Sequence, residues 1–282
     1  MTRNRLPKGK GWFIWVIKQT LGGIPSALAE TAKAAGVGHL FFHIHDGYLN
    51  ETQVPGGMDL RPFIQAANNV GIECWGWGAV YRSTWSQGAD RVIEAFKKHP
   101  ELIGYILDAE APIKGSPAEA MAIMNKIRYH LPDIPIGLSS YRYPNLHPDL
   151  PWKEFRAKCD FDIPQIYWEQ CFGDTCGSYQ LEASYKIFQN MDIKLPFVPT
   201  GPMYTAGSWK PSIKQIQGFI AKARELNLSG VNFWVLYQAI RDHLDLYKYY
   251  GGYLWETNES PDVPLTLEEK VLKMWDHHPE LW

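Results

Sequence analysis

The strongest constraint on the fold is a regular alternation of short apolar segments with longer amphipathic segments. Apolar residues spaced three and four positions apart indicate helices, whereas short apolar runs rich in β-branched and aromatic residues indicate strands. The chain contains eight predicted strands, and a predicted helix follows each of the first seven. The predicted strands are 12–17, 38–44, 72–77, 102–107, 134–139, 161–168, 195–199 and 230–237, and the predicted helices between them are 25–35, 60–69, 90–98, 117–130, 152–158, 181–189 and 212–226.

Eight strands that alternate with helices within 282 residues predict a single α/β domain with the (β/α)₈ (TIM) barrel fold. A doubly wound parallel sheet is the alternative, but no glycine-rich phosphate turn follows the first strand. We expect the barrel to cover residues 1–260. Residues 261–282 are expected to form a short C-terminal helical extension, with a helix at 265–274.

Composition limits the classes of partner. The net charge of −2 gives no reason to expect nucleic acid or an anionic membrane as a partner. The chain is rich in aromatic residues, with 12 Trp, 15 Tyr and 12 Phe. Such residues fill large cores, but they also stack on the apolar face of a sugar ring. A polysaccharide is therefore a plausible partner on composition alone; the oligomeric state is left open.

The four cysteines form no zinc-binding pattern. Cys171 and Cys176 are close enough in sequence to close a small loop, but we expect free thiols because no export signal is visible. The basic N-terminus is followed by only about six apolar residues, too few for a secretory signal peptide. This pattern favours synthesis in the cytoplasm, with release by lysis if the protein acts on a cell wall.

One stretch, LIGYILDAEAP at 102–112, carries two acids at the end of a predicted strand. Side chains alternate along a strand, so Asp108 and Glu110 point the same way, ~7 Å apart along the chain. Two carboxylates in apolar surroundings resist joint ionisation, which favours one protonated acid beside one ionised partner. Glycoside hydrolysis uses this combination. An isolated Asp-x-Glu is more often a pair of solvated loop acids, so the residues at the other predicted strand ends must be considered as well.

Barrel enzymes build their active sites at the C-terminal ends of the strands. Polar and aromatic residues are concentrated at these predicted ends. Trp75 and Trp77 alternate with glycines and so share a face, where they either fill the barrel or stack on a sugar. Besides the two acids, the candidate catalytic residues are Gln165 and Tyr167, and the candidate substrate-binding residues are His43, His45, Asp46, Trp75, Trp77, Tyr141, Glu169, Tyr204 and Trp234.

Other chemistries have weaker support. His43-x-His45 is similar to the metal pair of barrel amidohydrolases, but that class needs further histidines at later strand ends, and the fifth and sixth ends supply none. No Gly-x-Ser-x-Gly elbow and no Cys–His nucleophile are present, and Cys74 precedes the rim. We therefore predict no metal and no cofactor.

Three strand ends resemble known families. GYILDAEAP resembles the fourth strand of the family 25 lysozyme-type muramidases and of the family 18 chitinases, both of which end in Asp-x-Glu. PQIYWEQ at 164–170 and GVNFWVLYQ at 230–238 resemble the sixth and eighth strands of the chitinases. Two aspartates of the chitinase signature are replaced by Ile103 and Ile106, and the first strand lacks the aspartate of the muramidases. The resemblance is therefore to distant relatives.

The resemblance implies a role for each matching residue. Glu110 would be the acid, and Asp108 would orient the acetamido group of the substrate, which Gln165 and Tyr167 would also contact. Trp234 would stack beneath the sugar. The implied function is a retaining, substrate-assisted glycoside hydrolase acting on a β-linked, N-acetylhexosamine-containing polysaccharide, with peptidoglycan favoured over chitin. The main alternative is a catalytically silent sugar-binding barrel, which would keep the tryptophans without needing the acids.

Overall fold

The computed structural model describes residues 3–255, in which eight parallel strands curl into a barrel. The predicted fold class is confirmed. A ninth strand, β3, pairs antiparallel with the end of β2. The strands are β1 (Gly9–Ile14), β2 (His39–Asp46), β3 (Leu49–Asn50), β4 (Glu73–Ala79), β5 (Tyr105–Asp108), β6 (Ile136–Ser139), β7 (Phe161–Asp162), β8 (Thr200–Pro202) and β9 (Gly230–Trp234).

The barrel closes between β7 and β8. Hydrogen-bonded neighbours run β7-β6-β5-β4-β2-β1-β9-β8. At the remaining gap, the Val198 amide donates to the Asp162 carbonyl at 2.9 Å and the Thr200 amide donates to the Pro164 carbonyl at 3.0 Å. Closure brings the C-terminal ends of all eight parallel strands to one rim.

Helices surround the barrel and bury their apolar faces against it. Each long helix follows a strand, as the sequence predicts, and α7 begins with a capping box between Ser212 and Gln215. Two helices after the last strand were not predicted. The helices are α1 (Pro25–Ala34), α2 (Arg61–Asn69), α3 (Trp85–Lys98), α4 (Pro117–His130), α5 (Trp152–Arg156), α6 (Cys176–Gln189), α7 (Ile213–Glu225), α8 (Leu236–Asp242) and α9 (Leu244–Gly252).

The first strand lies three residues earlier than predicted. Gly11 allows close pairing there, because an added Cβ would lie 1.9 Å from the His39 ring and 2.6 Å from the Asn232 side chain. The apolar residues after Ile14 leave the sheet and enter short 3₁₀ turns within Ile17–Gly23. The residue that directly follows the strand at the rim is consequently Trp15.

The barrel interior is filled by its own aromatic and aliphatic layer. Phe13, Phe41, Trp75, Ile106 and Phe161 pack there, separately from the larger core between the sheet and the helices. Trp75 is completely buried, and its ring meets Phe161 edge-on at 5.9 Å between centroids. The prediction that Trp75 binds substrate is wrong, because this side chain lies one layer below the rim and fills the barrel.

Truncating Trp75 should therefore affect stability and leave the sugar-binding surface in place. We expect Trp75→Ala to lower the free energy of unfolding by about 3–5 kcal/mol, as is usual for a large aromatic residue replaced in a core. Denaturant unfolding measures this change. The milder Trp75→Phe should lose less stability and bind oligosaccharide like the parent; a large loss of affinity in a folded Trp75→Phe protein would contradict the assignment.

Two cysteines behave differently from the prediction. Cys171 and Cys176 form a disulfide, with their Cα atoms 6.0 Å apart, whereas free thiols were expected. The loop between β7 and α6 turns back on itself and brings the two thiols within bonding reach. The other two, Cys74 and Cys159, are buried and free.

The predicted C-terminal extension at 261–282, with its helix at 265–274, lies outside the described residues. The domain boundary at 260 therefore stays a prediction. Within residues 3–255, no helix combines the length and apolar character needed to cross a bilayer.

Candidate active site

A cleft of about 420 Å³ opens at the C-terminal rim of the barrel. It contains most of the residues predicted from the strand ends, together with two aromatic residues from the first strand and its end. Its lining comprises Phe13, Trp15, His43, Asp46, Trp77, Ala79, Asp108, Glu110, Ser139, Gln165, Tyr167, Glu169, Tyr204 and Trp234.

The two acids of the fourth barrel strand meet through one amide. Asp108 is the last residue of β5, and Glu110 lies just beyond it. The Gln165 side-chain nitrogen donates to Asp108 Oδ1 at 2.9 Å and to Glu110 Oε1 at 2.8 Å. Ser139 Oγ adds a donor to Asp108 Oδ1 at 3.1 Å. A single amide donor thus fixes both carboxyl groups in the same small volume.

This environment favours the protonated form of Asp108. Burial, followed by the nearby charge of Glu110, raises the pKa of Asp108 well above its ordinary value. The bonds from Ser139 and Gln165 act in the opposite direction, and the more distant Asp46 adds a smaller upward effect. Asp108 is therefore the carboxyl group whose protonated form the cleft favours.

The two histidines predicted to bind substrate are separated by a β-bulge. The pairing of β2 with β4 shifts between His43 and His45, so that His43 pairs with Trp77 and His45 pairs with Gly78. A bulge adds one residue and thereby turns the following side chain to the opposite face. His45 consequently points away from the cleft, where its ring nitrogen lies 2.7 Å from the Tyr105 hydroxyl. The prediction that His45 binds substrate is wrong.

His43 remains in the cleft as a neutral, aromatic surface. Its ring stacks on Trp77, with 4.0 Å between centroids and 9° between planes. Burial lowers the pKa of His43 to about 4, so the ring is uncharged at neutral pH. Its Nδ1 is buried with no hydrogen-bond partner.

One group among residues 3–255 has the spacing of metal ligands, and it lies away from the cleft lining. Glu51, Asp59 and His99 place one ligand atom each within 4.8 Å of the others. The Lys98 ammonium lies 2.5 Å from Glu51 and 3.1 Å from Asp59. A lysine cation thus already balances these carboxylates.

Aromatic residues form one side of the cleft. Trp234, at the end of β9, is half-buried and meets Trp77 edge-on at 5.2 Å and Trp15 at 5.7 Å between ring centroids. Trp77 is only 4% exposed, and its indole donates to the Ile14 carbonyl at 3.0 Å. Trp234 and Trp15 therefore offer the larger open surfaces. Sequence reasoning missed Trp15 because it placed the end of the first strand too late.

Tyrosines and acids form the opposite side. Tyr167 and Tyr204 meet edge-on at 5.5 Å between centroids, and the Tyr204 hydroxyl donates to Glu169. Arg142 donates to the backbone carbonyl of Tyr167. Burial raises the pKa of Tyr167 well above its ordinary value, so its hydroxyl stays protonated and can donate a hydrogen bond.

Tyr141 lies beside the cleft and outside its lining. β6 ends at Ser139, and Tyr141 belongs to the loop that follows. Its ring stacks on His147 at 3.7 Å between centroids and lies 5.1 Å from the Lys114 ammonium. The prediction of Tyr141 as a direct substrate contact is not supported by this position.

Asp46 completes the cleft on the side of β2. Its Oδ1 accepts a hydrogen bond from the Tyr81 hydroxyl at 2.6 Å. The bulge that removes His45 from the cleft also places Asp46 opposite Ala79, and both residues line the cleft. Asp46 and Tyr81 both belong to the strand ends predicted from the sequence, but the hydrogen bond between them was not predicted.

The chain is similar to known proteins in structure but matches none of the family models or curated sequences. A GH18 chitinase from Pseudoalteromonas aurantia superimposes with a TM-score of 0.58 at 12% identity, covering 85% of this chain and 97% of that one. An endo-1,4-beta-D-mannanase from Thermotoga petrophila gives a TM-score of 0.58 at 14% identity, covering 94% and 99%.

A non-enzymatic name also occurs among the similar structures. A tamarind chitinase-like lectin has a TM-score of 0.58 at 11% identity, covering 86% of this chain and 98% of that one. At such low identity, the comparisons establish architecture alone. The chain has the (β/α)₈ barrel fold of these distant glycoside hydrolases and of the lectin.

Proposed function

We propose that the protein is a retaining glycoside hydrolase acting on a β-linked polysaccharide that contains N-acetylhexosamine. The observation that carries the proposal is the pair Asp108 and Glu110, bridged by Gln165 at the base of an aromatic cleft. GYILDAEAP resembles the fourth strand of both the muramidases and the chitinases, so it supports peptidoglycan and chitin alike, and we keep peptidoglycan as the first polymer to test. The glycoside hydrolases of similar fold add support at the level of the reaction class.

The spacing of the acids favours retention of configuration. Both bonded oxygens lie within hydrogen-bonding distance of the same nitrogen, so they are at most about 6 Å apart. Inverting enzymes separate their carboxyl groups by ~6.5–9.5 Å to admit a water, whereas retaining enzymes hold them at ~5–5.5 Å. The space between the two carboxyl groups is therefore too small for a water molecule to attack the sugar in the first step. The acetamido oxygen of the substrate can attack the anomeric carbon from within the sugar instead.

The raised pKa of Asp108 suggests where the proton begins. In the free protein, burial and the nearby charge of Glu110 favour the protonated form of Asp108. When Asp108 accepts the acetamido N–H of a substrate, its ionised form is stabilised and the proton passes to Glu110. Glu110 then protonates the leaving oxygen as the glycosidic C–O bond breaks. Water later attacks the anomeric carbon, opens the cyclic intermediate and returns one proton to Glu110.

The remaining residues hold the sugar in place for this step. Tyr167 can donate a hydrogen bond from its protonated hydroxyl to the acetamido group, next to the amide of Gln165. Trp234 provides the open aromatic face on which the apolar side of the sugar ring packs. Each of these groups lines the same cleft as the acid pair.

Truncating Trp234 should weaken binding while preserving the fold. Trp234→Ala removes a half-buried ring from the cleft, and we expect binding of chito-oligosaccharides or muropeptides to weaken by ~1 kcal/mol or more. Titration followed by tryptophan fluorescence or calorimetry measures the loss. Trp255→Ala, a substitution outside the cleft lining, is the matched control. Unchanged affinity in Trp234→Ala would contradict the stacking role.

The alternative is a sugar-binding barrel without activity, as the name of the tamarind lectin suggests for a protein of this fold. Such a protein would need the aromatic side of the cleft but not the acids. The acid pair argues against it, because burying Asp108 beside Glu110 costs stability that binding alone does not require. A hydrolase would cleave the bound glycan, whereas a sugar-binding barrel would leave it intact.

Incubation with purified peptidoglycan and with chitin, followed by mass spectrometry of soluble fragments, tests the proposal. Hydrolysis should release fragments with new reducing ends from at least one polymer. Binding to both polymers without any new reducing end would favour the lectin-like alternative. Fragments from peptidoglycan alone, or from chitin alone, would identify the preferred backbone.

A further inference from the structure

The cleft contains more carboxyl groups than hydrolysis needs. Of its lining residues, four are acids, Asp46, Asp108, Glu110 and Glu169, and none is lysine or arginine. Arg142, which is outside the lining, directs one guanidinium nitrogen to the Tyr167 carbonyl and lies over the Tyr143 ring at 5.2 Å. Within the described part of the chain, no basic side chain of the lining balances the four carboxyl groups.

The two extra acids flank the catalytic pair. Around the barrel, β2 carries Asp46 and lies two strands from β5 on one side, with β4 between them. Glu169 follows β7, which lies two strands from β5 on the other side, with β6 between them. A glycan that crosses the rim over β5 therefore meets one acid on each side of the unit being cleaved.

Both flanking acids are held in place by a tyrosine. The Tyr81 hydroxyl donates to Asp46, and the Tyr204 hydroxyl donates to Glu169. Each bond uses only part of the accepting capacity of a carboxylate, which has about four lone-pair positions. The acids thus keep oxygens available for a ligand, in positions that the tyrosines fix.

We propose that the cleft takes partially de-N-acetylated glycans, in which a hexosamine next to the cleaved unit carries a free, protonated amine. This inference rests on the proposed function and specifies its substrate class. A protonated amine would lie against Glu169 or Asp46 and replace the missing basic side chains. Polymers with a carboxylate on each sugar unit, such as uronic-acid polymers, would be repelled by the same charges.

The cleaved unit itself must keep its acetyl group. In the proposed mechanism, the acetamido oxygen attacks the anomeric carbon, and a free ammonium has no oxygen with which to do so. A mixed polymer should therefore be cleaved best, with an acetylated unit at every new reducing end and free amines enriched in the units beside it. A fully de-N-acetylated polymer should bind and remain uncut.

Binding tests the inference without requiring activity. In the Glu110→Gln protein, glucosamine oligomers carrying one acetylated unit should bind about tenfold more tightly than fully acetylated oligomers of the same length, equal to about 1.4 kcal/mol. The preference should shrink as salt is added, because the Debye length falls to about 10 Å at 0.1 M ionic strength. Isothermal titration calorimetry at low and high salt measures both effects.

A charge-matched pair of variants separates the effect of the cleft acid from the effect of the protein's overall charge. Adding Glu169→Gln to the Glu110→Gln protein should remove much of the preference for mixed oligomers. The amide of the new side chain still accepts a hydrogen bond from Tyr204 but carries no charge. Glu101→Gln changes the net charge equally, and it precedes β5 on the opposite rim. That control should retain the full preference. Equal loss in both variants would show a non-specific charge effect and overturn the proposal.

The outcomes also separate this inference from the function on which it rests. Equal affinity for acetylated and mixed oligomers, with cleavage of both by the parent protein, would overturn the amine preference and leave the hydrolase intact. A preference for mixed oligomers without cleavage of any of them would support the charge argument and contradict the hydrolase. Product sequencing that finds free amines at random beside the cleavage point would also overturn the inference.

Discussion

The Glu110→Gln variant is expected to lose nearly all turnover while keeping its fold and its affinity for substrate. An amide has the shape of the carboxyl group and can still accept the bond from Gln165, but it cannot deliver a proton at neutral pH. General acid catalysis typically contributes ~10²–10⁴-fold to rate, so kcat should fall by about that factor. Reducing-end release from a polymer cleaved by the parent measures the change.

The control for this variant is a neighbouring acid of the same rim. Glu169→Gln removes a cleft charge but no proposed proton donor, so its kcat should fall far less than that of Glu110→Gln. Thermal unfolding and oligosaccharide titration establish that both variants are folded and bind. Parental activity in Glu110→Gln would show that the acid lies elsewhere in the cleft, with Glu169 and Asp46 the next candidates.

The Asp108→Asn variant is expected to lose activity and gain stability. The loss follows because the variant lacks the negative charge that faces the developing positive charge of the sugar, an effect worth ~10²-fold or more in rate. The gain follows because Asn has no ionisable group to bury, while it can still accept from Ser139 and Gln165. A variant that is less active and yet more stable distinguishes a functional acid from a structural one.

The gain in stability should depend on pH in a defined direction. The pKa of Asp108 is raised above 3.8 in the folded protein, chiefly by burial and then by Glu110. Below the ordinary pKa of an aspartic acid, both folded and unfolded chains hold the proton, and the two proteins should differ little. As the pH rises above it, the unfolded chain ionises first, and the folded parent is destabilised by up to about 1.4 kcal/mol per pH unit.

Denaturant unfolding of parent and Asp108→Asn at a series of pH values from acid to neutral measures this difference. The stability advantage of the variant should widen as the pH rises toward the raised pKa and then level off. At neutral pH, each kcal/mol corresponds to about 2–4 °C in Tm for a chain of this size. An advantage that narrows with rising pH would mean that the folded protein stabilises the ionised form of Asp108.

Much of the fold could be predicted because the alternating pattern repeats through the chain. Once the eight parallel strands close, their C-terminal ends must meet at one rim, and this rule alone brings Asp108, Gln165 and Trp234 together. The acid pair, at the end of a short apolar run with a proline soon after, gave the most specific local signal. Its bridging by the Gln165 amide follows from the pairing of β5, β6 and β7 around the barrel.

The errors arise where a local detail decides the direction or depth of a side chain. Periodicity places Trp75 and Trp77 on one face but does not tell which layer of the barrel each occupies. It also assumes an unbroken ladder, whereas the bulge between His43 and His45 turns the second ring away. Trp15 was missed because apolar residues continue past the end of β1. These features depend on strand pairing across the chain, which no single window of sequence contains.

The central claim is that Asp108 and Glu110 perform retaining hydrolysis of an N-acetylhexosamine glycoside, and the configuration of the first product tests it most directly. Proton NMR during cleavage of a soluble β-linked oligosaccharide of N-acetylglucosamine follows the anomeric signals before mutarotation. The β-anomer should appear first at the new reducing end and the α-anomer should follow. Initial appearance of the α-anomer, or binding of the oligosaccharide and its partially de-N-acetylated forms without any cleavage, would contradict the claim.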